Sequence, residues 1–146
     1  GPAVLRSAIN AMRDSVLRVL GYAEEPPEKE MNDLRSRMRV VPHQANGRIV
    51  DGLAKKLGLP AERVTKTIYK VGNISAARNV IALDYAFRHG NLLVDREPVT
   101  ERILAIHDHK DPVRPGELIV LPSIGAGYLF GAVAFVLLYR PRRTRL

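Results

Sequence analysis

The chain has 146 residues, 46% of them apolar, which is material for one domain with a core of its own. It contains no cysteine, so disulfides, zinc–thiolate sites and a cysteine nucleophile carried on this chain are all excluded. A net charge of +8 calls for an acidic partner. The charge is scattered, aromatics are few and no recognition motif occurs. Nucleic acid is therefore a weaker candidate than an anionic membrane, an acidic carrier protein or a phosphorylated ligand.

Residues Ala3 to Leu20 read as an amphipathic helix. Leu5, Ile9, Met12, Val16 and Val19/Leu20 recur at helical spacing, with Arg6, Arg13, Asp14 and Arg18 off that face. Gly21 ends it, and the charged, proline-broken run around Glu24–Glu30 makes 21–37 a linker. Met38 to Val41 is a short buried strand, stopped by Pro42, which has no N–H to donate to a ladder. From Gln44 to Leu57 a second helix puts Ile49, Val50, Leu53 and Leu57 on one side, with Gly58 as its stop. Pro60 opens another turn, and the alternation from Val64 to Ile68 reads as a strand.

Gly72-Asn73 marks a turn, and Ser75 caps a helix that runs to about His89 and is closed by Gly90-Asn91. Residues 92–115, with prolines at 98, 112 and 115, read as a surface insertion with one short helix from about Val99 to His107. A strand begins over Glu117–Val120, Ser123–Gly131 is glycine-rich, and Ala132–Tyr139 is a second apolar strand. The tail 140–146 is basic and frayed. Strands alternating with helices up to a closing strand pair give a layered α/β architecture.

Several stretches have a plain reading beside a functional one. Leu118 to Tyr139 carries no charge and ends on a basic cluster, as a membrane span would. Pro122 and the glycines at 125, 127 and 131 cut it into strand-length pieces, so no membrane span is expected. Gly125-Ala126-Gly127 makes a tight hairpin before it makes an anion site. His107-Asp108-His109 resembles a metal tract, but without further ligands it is a solvated loop, and no metal site is expected. His89 at a helix C-terminus is explained by the favourable charge there.

Two corners remain. Val41-Pro42-His43-Gln44-Ala45-Asn46 hands a histidine from a strand to a helix, and Val71-Gly72-Asn73-Ile74-Ser75-Ala76-Ala77 does the same for an asparagine. A neutral imidazole N–H and an amide N–H₂ meeting in one pocket would stabilise a developing negative charge.

The same residues carry a resemblance. The chain resembles the C-terminal part of a 3-oxoacyl-(acyl-carrier-protein) synthase of the ketosynthase III type, in the thiolase superfamily. The likeness runs through Pro42–Asn46, Ala54-Lys55-Lys56-Leu57-Gly58, Val71–Ala77, Ile81-Ala82-Leu83-Asp84, Pro115-Gly116-Glu117-Leu118, Gly125-Ala126-Gly127 and Gly131-Ala132, across about two thirds of the chain. Gly1-Pro2-Ala3-Val4 is similar to the family's pattern ahead of its first helix.

The resemblance implies the C-terminal part of a thiolase-like fold, a mixed sheet covered by helices, incomplete on its own. It implies that His43 and Asn73 are two of three catalytic residues, the third being a cysteine in an N-terminal portion absent from this chain. That cysteine attacks an acyl thioester, while His and Asn polarise the thioester carbonyl of a malonyl-type extender. Decarboxylation then gives a carbanion that attacks the acyl-cysteine.

By the same resemblance Gly125, Ala126 and Gly127 lie near the acyl-cysteine, and Arg48 contacts an acidic acyl carrier protein. No cofactor is implied beyond the acyl-CoA or acyl-carrier-protein thioester substrates. The complete unit is expected to be a cytoplasmic homodimer, with no nucleic-acid or membrane partner. Three features depart from the pattern: Ile74 replaces a commoner Thr, Gly47 replaces a commoner apolar residue, and 92–115 is longer than usual. Two other readings stay open, a non-catalytic thiolase-fold subunit that binds acyl thioester or carrier protein, and a small basic membrane-tethered protein.

Overall fold

A computed structural model describes residues 1–72, 77–100, 102–125 and 129–138. Helix α1 (Pro2–Val19) starts with proline in its first turn, where a missing N–H costs nothing, and buries Ala8, Met12, Val16 and Leu17. Helix α2 (Glu28–Arg37) occupies more than half of the span expected as a linker. Its acidic first turn and basic last turn suit the helix dipole, and Met31 and Leu34, one turn apart, give it a buried stripe.

Strand β1 (Met38–Val40) follows directly and is buried throughout. Helix α3 (Gly47–Leu57) begins three residues later than the sequence pattern suggested, because Asn46 is its N-cap: the Asn46 side chain accepts the Arg48 N–H at 2.8 Å. Gly58 ends it in the left-handed region, with φ of 66°.

The expected strand over 64–68 is reduced to one bridge, Val40 with Val64, after a 3₁₀ turn over Ala61–Arg63. The chain then bends into the short helix α4 (Ile68–Val71). Helix α5 (Arg78–Arg88) buries Arg78, Ala82 and Ala86. Ser75, expected to cap it, lies outside the described residues.

The stretch expected as an insertion loop with a helix over 99–107 is instead a hairpin. Strand β2 (Asn91–Arg96) pairs antiparallel with β3 (Ile103–His109). Most of β3 is exposed on both faces, so neither face shows an apolar stripe in the sequence.

Strands β4 (Leu118–Gly125) and β5 (Leu129–Val136) pair antiparallel from Leu118 with Val136 to Gly125 with Leu129. The uncharged C-terminal run is thus a hairpin, its second strand starting at Leu129 rather than Ala132. Among the described residues no helix is long and apolar enough to cross a membrane.

Strand β1 lies parallel to β4, giving a mixed sheet of order β1-β4-β5. One face packs on α1 and α3 through Met12, Val16, Val50, Leu53, Leu57, Val40 and Val120. The other packs on α5 through Ala82, Ala86, Val41, Ile119 and Phe135. The layering is helix–sheet–helix, as the sequence pattern and the resemblance both require.

Candidate active site

The site is built where β1 runs past its formal end. Pro42 donates nothing, yet the residues on either side keep pairing with β4: Val41 N–H donates to Val120 O at 2.8 Å and His43 N–H to Pro122 O at 2.9 Å. His43 is thereby laid beside Ser123.

The next residue fixes the corner. Gln44 is fully buried, and its Nε2 donates to Pro42 O at 2.7 Å and Thr65 O at 3.0 Å. Its Oε1 accepts the backbone N–H groups of Thr67 at 3.0 Å and Ile68 at 3.1 Å. One side chain therefore ties the histidine corner to the segment leading into Gly72. It also helps explain why 64–68 is not a strand: Thr65 alone donates to β1, at Val40 O, while Lys66 N–H goes to Asn91 Oδ1 and those of Thr67 and Ile68 to Gln44.

His43 is half-buried, and its Nδ1 stands 3.2 Å from Asn79 Oδ1 in the first turn of α5. Asn79 Nδ2 in turn donates to Ser123 Oγ at 3.3 Å on β4. Among the described residues Nε2 of His43 has no hydrogen-bond partner. Burial lowers the His43 pKa below its usual 6.5; the Asn79 contact opposes that, and the Arg78 charge adds to the lowering. Burial thus favours the neutral ring.

Arg78 is 1% exposed. Its Nη1 donates to Gln44 O, while Nε and Nη2 are buried without a partner. Burial lowers its pKa as well.

Of the residues singled out in the sequence, His43 is half-buried beside Asn79, and Arg48 is exposed on the first turn of α3. Gly125 closes β4 opposite Leu129. Asn73, Ala126 and Gly127 lie outside the described residues. Gln44, Arg78, Asn79 and Ser123 carry the support of His43 and were not singled out by the sequence; only the position of Asn79 just past the Gly-Asn corner hinted at it. Among the described residues no group of three or more His, Asp or Glu side chains is arranged to hold a metal. His107 instead pairs with Asp95 at 2.6 Å across the β2–β3 hairpin.

That hairpin is tied to the site's flank. Asp108 Oδ1 lies 2.6 Å from Lys70 Nζ and accepts the Tyr85 hydroxyl at 2.6 Å. Arg96 Nη2 meets Asp51 Oδ2 at 2.9 Å and also bonds the Tyr69 hydroxyl, which lies 3.3 Å from the same carboxylate oxygen. Lys66 completes the cluster, 2.9 Å from Asp51 Oδ1. Tyr69 lies against α3 at Gly47, where a Cβ would collide with its hydroxyl and ring.

Comparison with known proteins gives the following likenesses. Residues 28–97 match the family model described as 3-oxoacyl-[acyl-carrier-protein (ACP)] synthase III C terminal. A beta-ketoacyl-[acyl-carrier-protein] synthase III from Rhizorhabdus wittichii is 43% identical over 95 residues, 65% of this chain and 23% of that protein. The Rhizobium meliloti protein of the same name is 38% identical over 94 residues, 64% of this chain and 23% of that protein.

The crystal structure of 3-oxoacyl-(acyl carrier protein) synthase III from Pseudomonas aeruginosa superposes with a TM-score of 0.68 at 33% identity, covering 97% of this chain and 36% of that one. The priming beta-ketosynthase of the R1128 polyketide pathway gives 0.64 at 25% identity, covering 97% of this chain and 34% of that one. The chain thus spans about a quarter of the length of the curated relatives it matches.

Proposed function

We propose, for a chain that belongs to the 3-oxoacyl-(acyl-carrier-protein) synthase III family as part of its C-terminal region, that it supplies the decarboxylating side of a ketosynthase site. The observation that carries this reading is the placement of His43. It is inclined to the neutral form by burial, tied at Nδ1 and, among the described residues, unpartnered at Nε2, on a corner braced by Gln44.

In this reading an extender thioester lies with its carbonyl oxygen against Nε2 of His43 and the amide of Asn73. As the malonyl-type carboxylate leaves as CO₂, its electrons pass onto that oxygen, and the two N–H donors stabilise the enolate. The enolate carbon then attacks an acyl group held on a cysteine of another portion of the enzyme, expelling the thiolate. The thioesters and the extender carboxylate supply all the chemistry, without a further cofactor.

Association with the cysteine-bearing portion is supported by apolar surface left uncovered here. Val80 and Ile81 on α5, and Leu129, Val133 and Val136 on β5, are exposed, and β5 pairs on one side only among the described residues. Exposed Arg48 suits an acidic carrier protein at the pocket mouth. The complete unit is taken to be a cytoplasmic homodimer serving fatty acid or polyketide synthesis.

The test is condensation by this chain together with the cysteine-bearing portion, followed as CO₂ release from a malonyl-carrier-protein thioester. His43→Ala and Asn73→Ala should each cost roughly 10²–10³-fold, the size of losing one oxyanion donor. An assembly that binds acyl thioester but never condenses would instead establish a non-catalytic subunit.

A further inference from the structure

Helix α4 (Ile68–Val71) ends two residues before Asn73, yet none of its own residues is buried. A single turn of helix has no stability of its own, so its neighbours hold it in place. Gln44 Oε1 takes the Ile68 N–H, at its start, and that of Thr67 just before it. Gly72, just past its end, has φ of 63° and ψ of −161°, a backbone that residues with side chains rarely adopt. The point from which the chain passes to Asn73 is therefore set by how α4 is held.

The β2–β3 hairpin holds it. At the root of the hairpin Asn91 is fully buried, its Oδ1 accepting the Lys66 N–H at 2.8 Å and its Nδ2 donating to Val64 O at 2.6 Å. Leu92 pairs with Asp108, and Arg96 lies four residues further along β2. By the two-residue alternation of a strand, Asp108 and Arg96 share one face of the hairpin, about 13 Å apart along it. Each takes one residue of α4: Asp108 lies 2.6 Å from Lys70 Nζ, and Arg96 bonds the Tyr69 hydroxyl.

We propose that the hairpin is the positioning element of the asparagine arm of the site. Asp108 and Arg96, acting through Lys70 and Tyr69, fix α4 and so the point from which Asn73 follows Gly72. This rests on the reading of Asn73 as a donor to the extender carbonyl. The support of the site then divides in two. The histidine arm is held by the pairing of Val41 and His43 with β4 and by the buried Gln44. The asparagine arm depends on the stretch whose length departs from the family's pattern.

The Lys70–Asp108 pair is exposed, so the two contacts are removed together. The Arg96→Met/Asp108→Asn chain is assembled with the cysteine-bearing portion, and CO₂ release from a malonyl-carrier-protein thioester is followed. A donor displaced without being removed should lower kcat about tenfold and change KM less than about twofold. In an Asn73→Ala background the same two substitutions should change kcat less than about twofold, because the group they position is gone. The His43 Hε1 titration should superpose on that of wild type.

An undiminished kcat overturns the proposal. So does a tenfold loss that persists in the Asn73→Ala background, or a displaced His43 titration, since either would mean that the hairpin acts on something other than the asparagine arm. Where the double variant fails to fold, Asp108→Asn alone carries the same comparison, with an expected loss of about threefold. An Asn73→Ala assembly that condenses at the wild-type rate would reject the reading of Asn73 and this proposal with it. An impaired Asn73→Ala assembly beside a fully active hairpin variant would reject the role of the hairpin alone.

Discussion

Gln44 Oε1 accepts two successive backbone N–H groups, from Thr67 and Ile68, while its Nε2 donates to the carbonyls of Pro42 and Thr65. All four bonds are internal, and they are what holds the His43 corner against the segment before Gly72. Gln44→Leu keeps the bulk and orphans two donors and two acceptors. At about 1 kcal/mol or more for each of the four orphans, the loss is at least about 4 kcal/mol. Urea denaturation measures it; a midpoint within error of wild type would mean the corner is held by packing alone.

Arg39 is fully buried in β1 and meets Glu117 at 3.3 Å and Asp111 at 3.1 Å. Glu117 also holds Arg63 at 2.5 Å. Removing the acid leaves a buried guanidinium undercompensated, whereas removing Arg39 leaves Glu117 with a second cation. Glu117→Ala is therefore expected to cost about 3 kcal/mol and Arg39→Met clearly less. The reverse order of unfolding midpoints would contradict this account of the network.

His43 is held below its usual pKa, chiefly by burial. A histidine that resists protonation when folded contributes stability above the unfolded value of 6.5, lost as pH falls through the lower folded value. Arg78→Met removes one of the causes and should move the His43 titration upward, without restoring 6.5, because burial remains. Histidine Hε1 chemical shifts against pH follow this; a downward or absent shift would exclude Arg78 as a cause. The same variant removes two unpartnered buried nitrogens but also the donor to Gln44 O, so its unfolding midpoint should change little.

Asp108 binds Lys70 and Tyr85, and its carboxyl is held below the usual range, first by the Lys70 contact and then by Tyr85. The group is solvent-exposed, so global stability should barely respond to Asp108→Asn. The local effect is the informative one: amides of β3 and α4 should exchange several-fold faster, and high salt should do the same to wild type. Unchanged exchange would show that the hairpin is held by β2 alone.

The His43 corner was legible in sequence because proline ends a strand immediately before it, and the end of α3 because Gly58 stops it; the pattern places the start of α3 three residues early, at Gln44, because it does not show the capping role of Asn46. Helix α2 was hidden by the charges around Pro26-Pro27, although Pro27 is its N-cap and two apolar residues one turn apart suffice to dock it. The alternation over Val64–Ile68 reflected true burial, but of a segment that meets β1 only at Val64–Thr65 and is otherwise satisfied by the side chains of Asn91 and Gln44. Strand β3 has no buried face to betray it. The supports of His43 were out of reach for another reason: Asn79 lies 36 residues from it and Ser123 a further 44 along, and the parallel docking of β1 on β4 is what brings Ser123 near.

The bare α-carbon at Gly47 is filled by Tyr69, whose hydroxyl is shared with Asp51 on α3 and Arg96 on the hairpin. Position 47 and the 91–109 hairpin are therefore one inheritable unit. In a chimera with a relative bearing a larger side chain at position 47, grafting the hairpin alone would strand Arg96 without its tyrosine. Carrying Gly47, Tyr69 and the hairpin across as a set would preserve the junction.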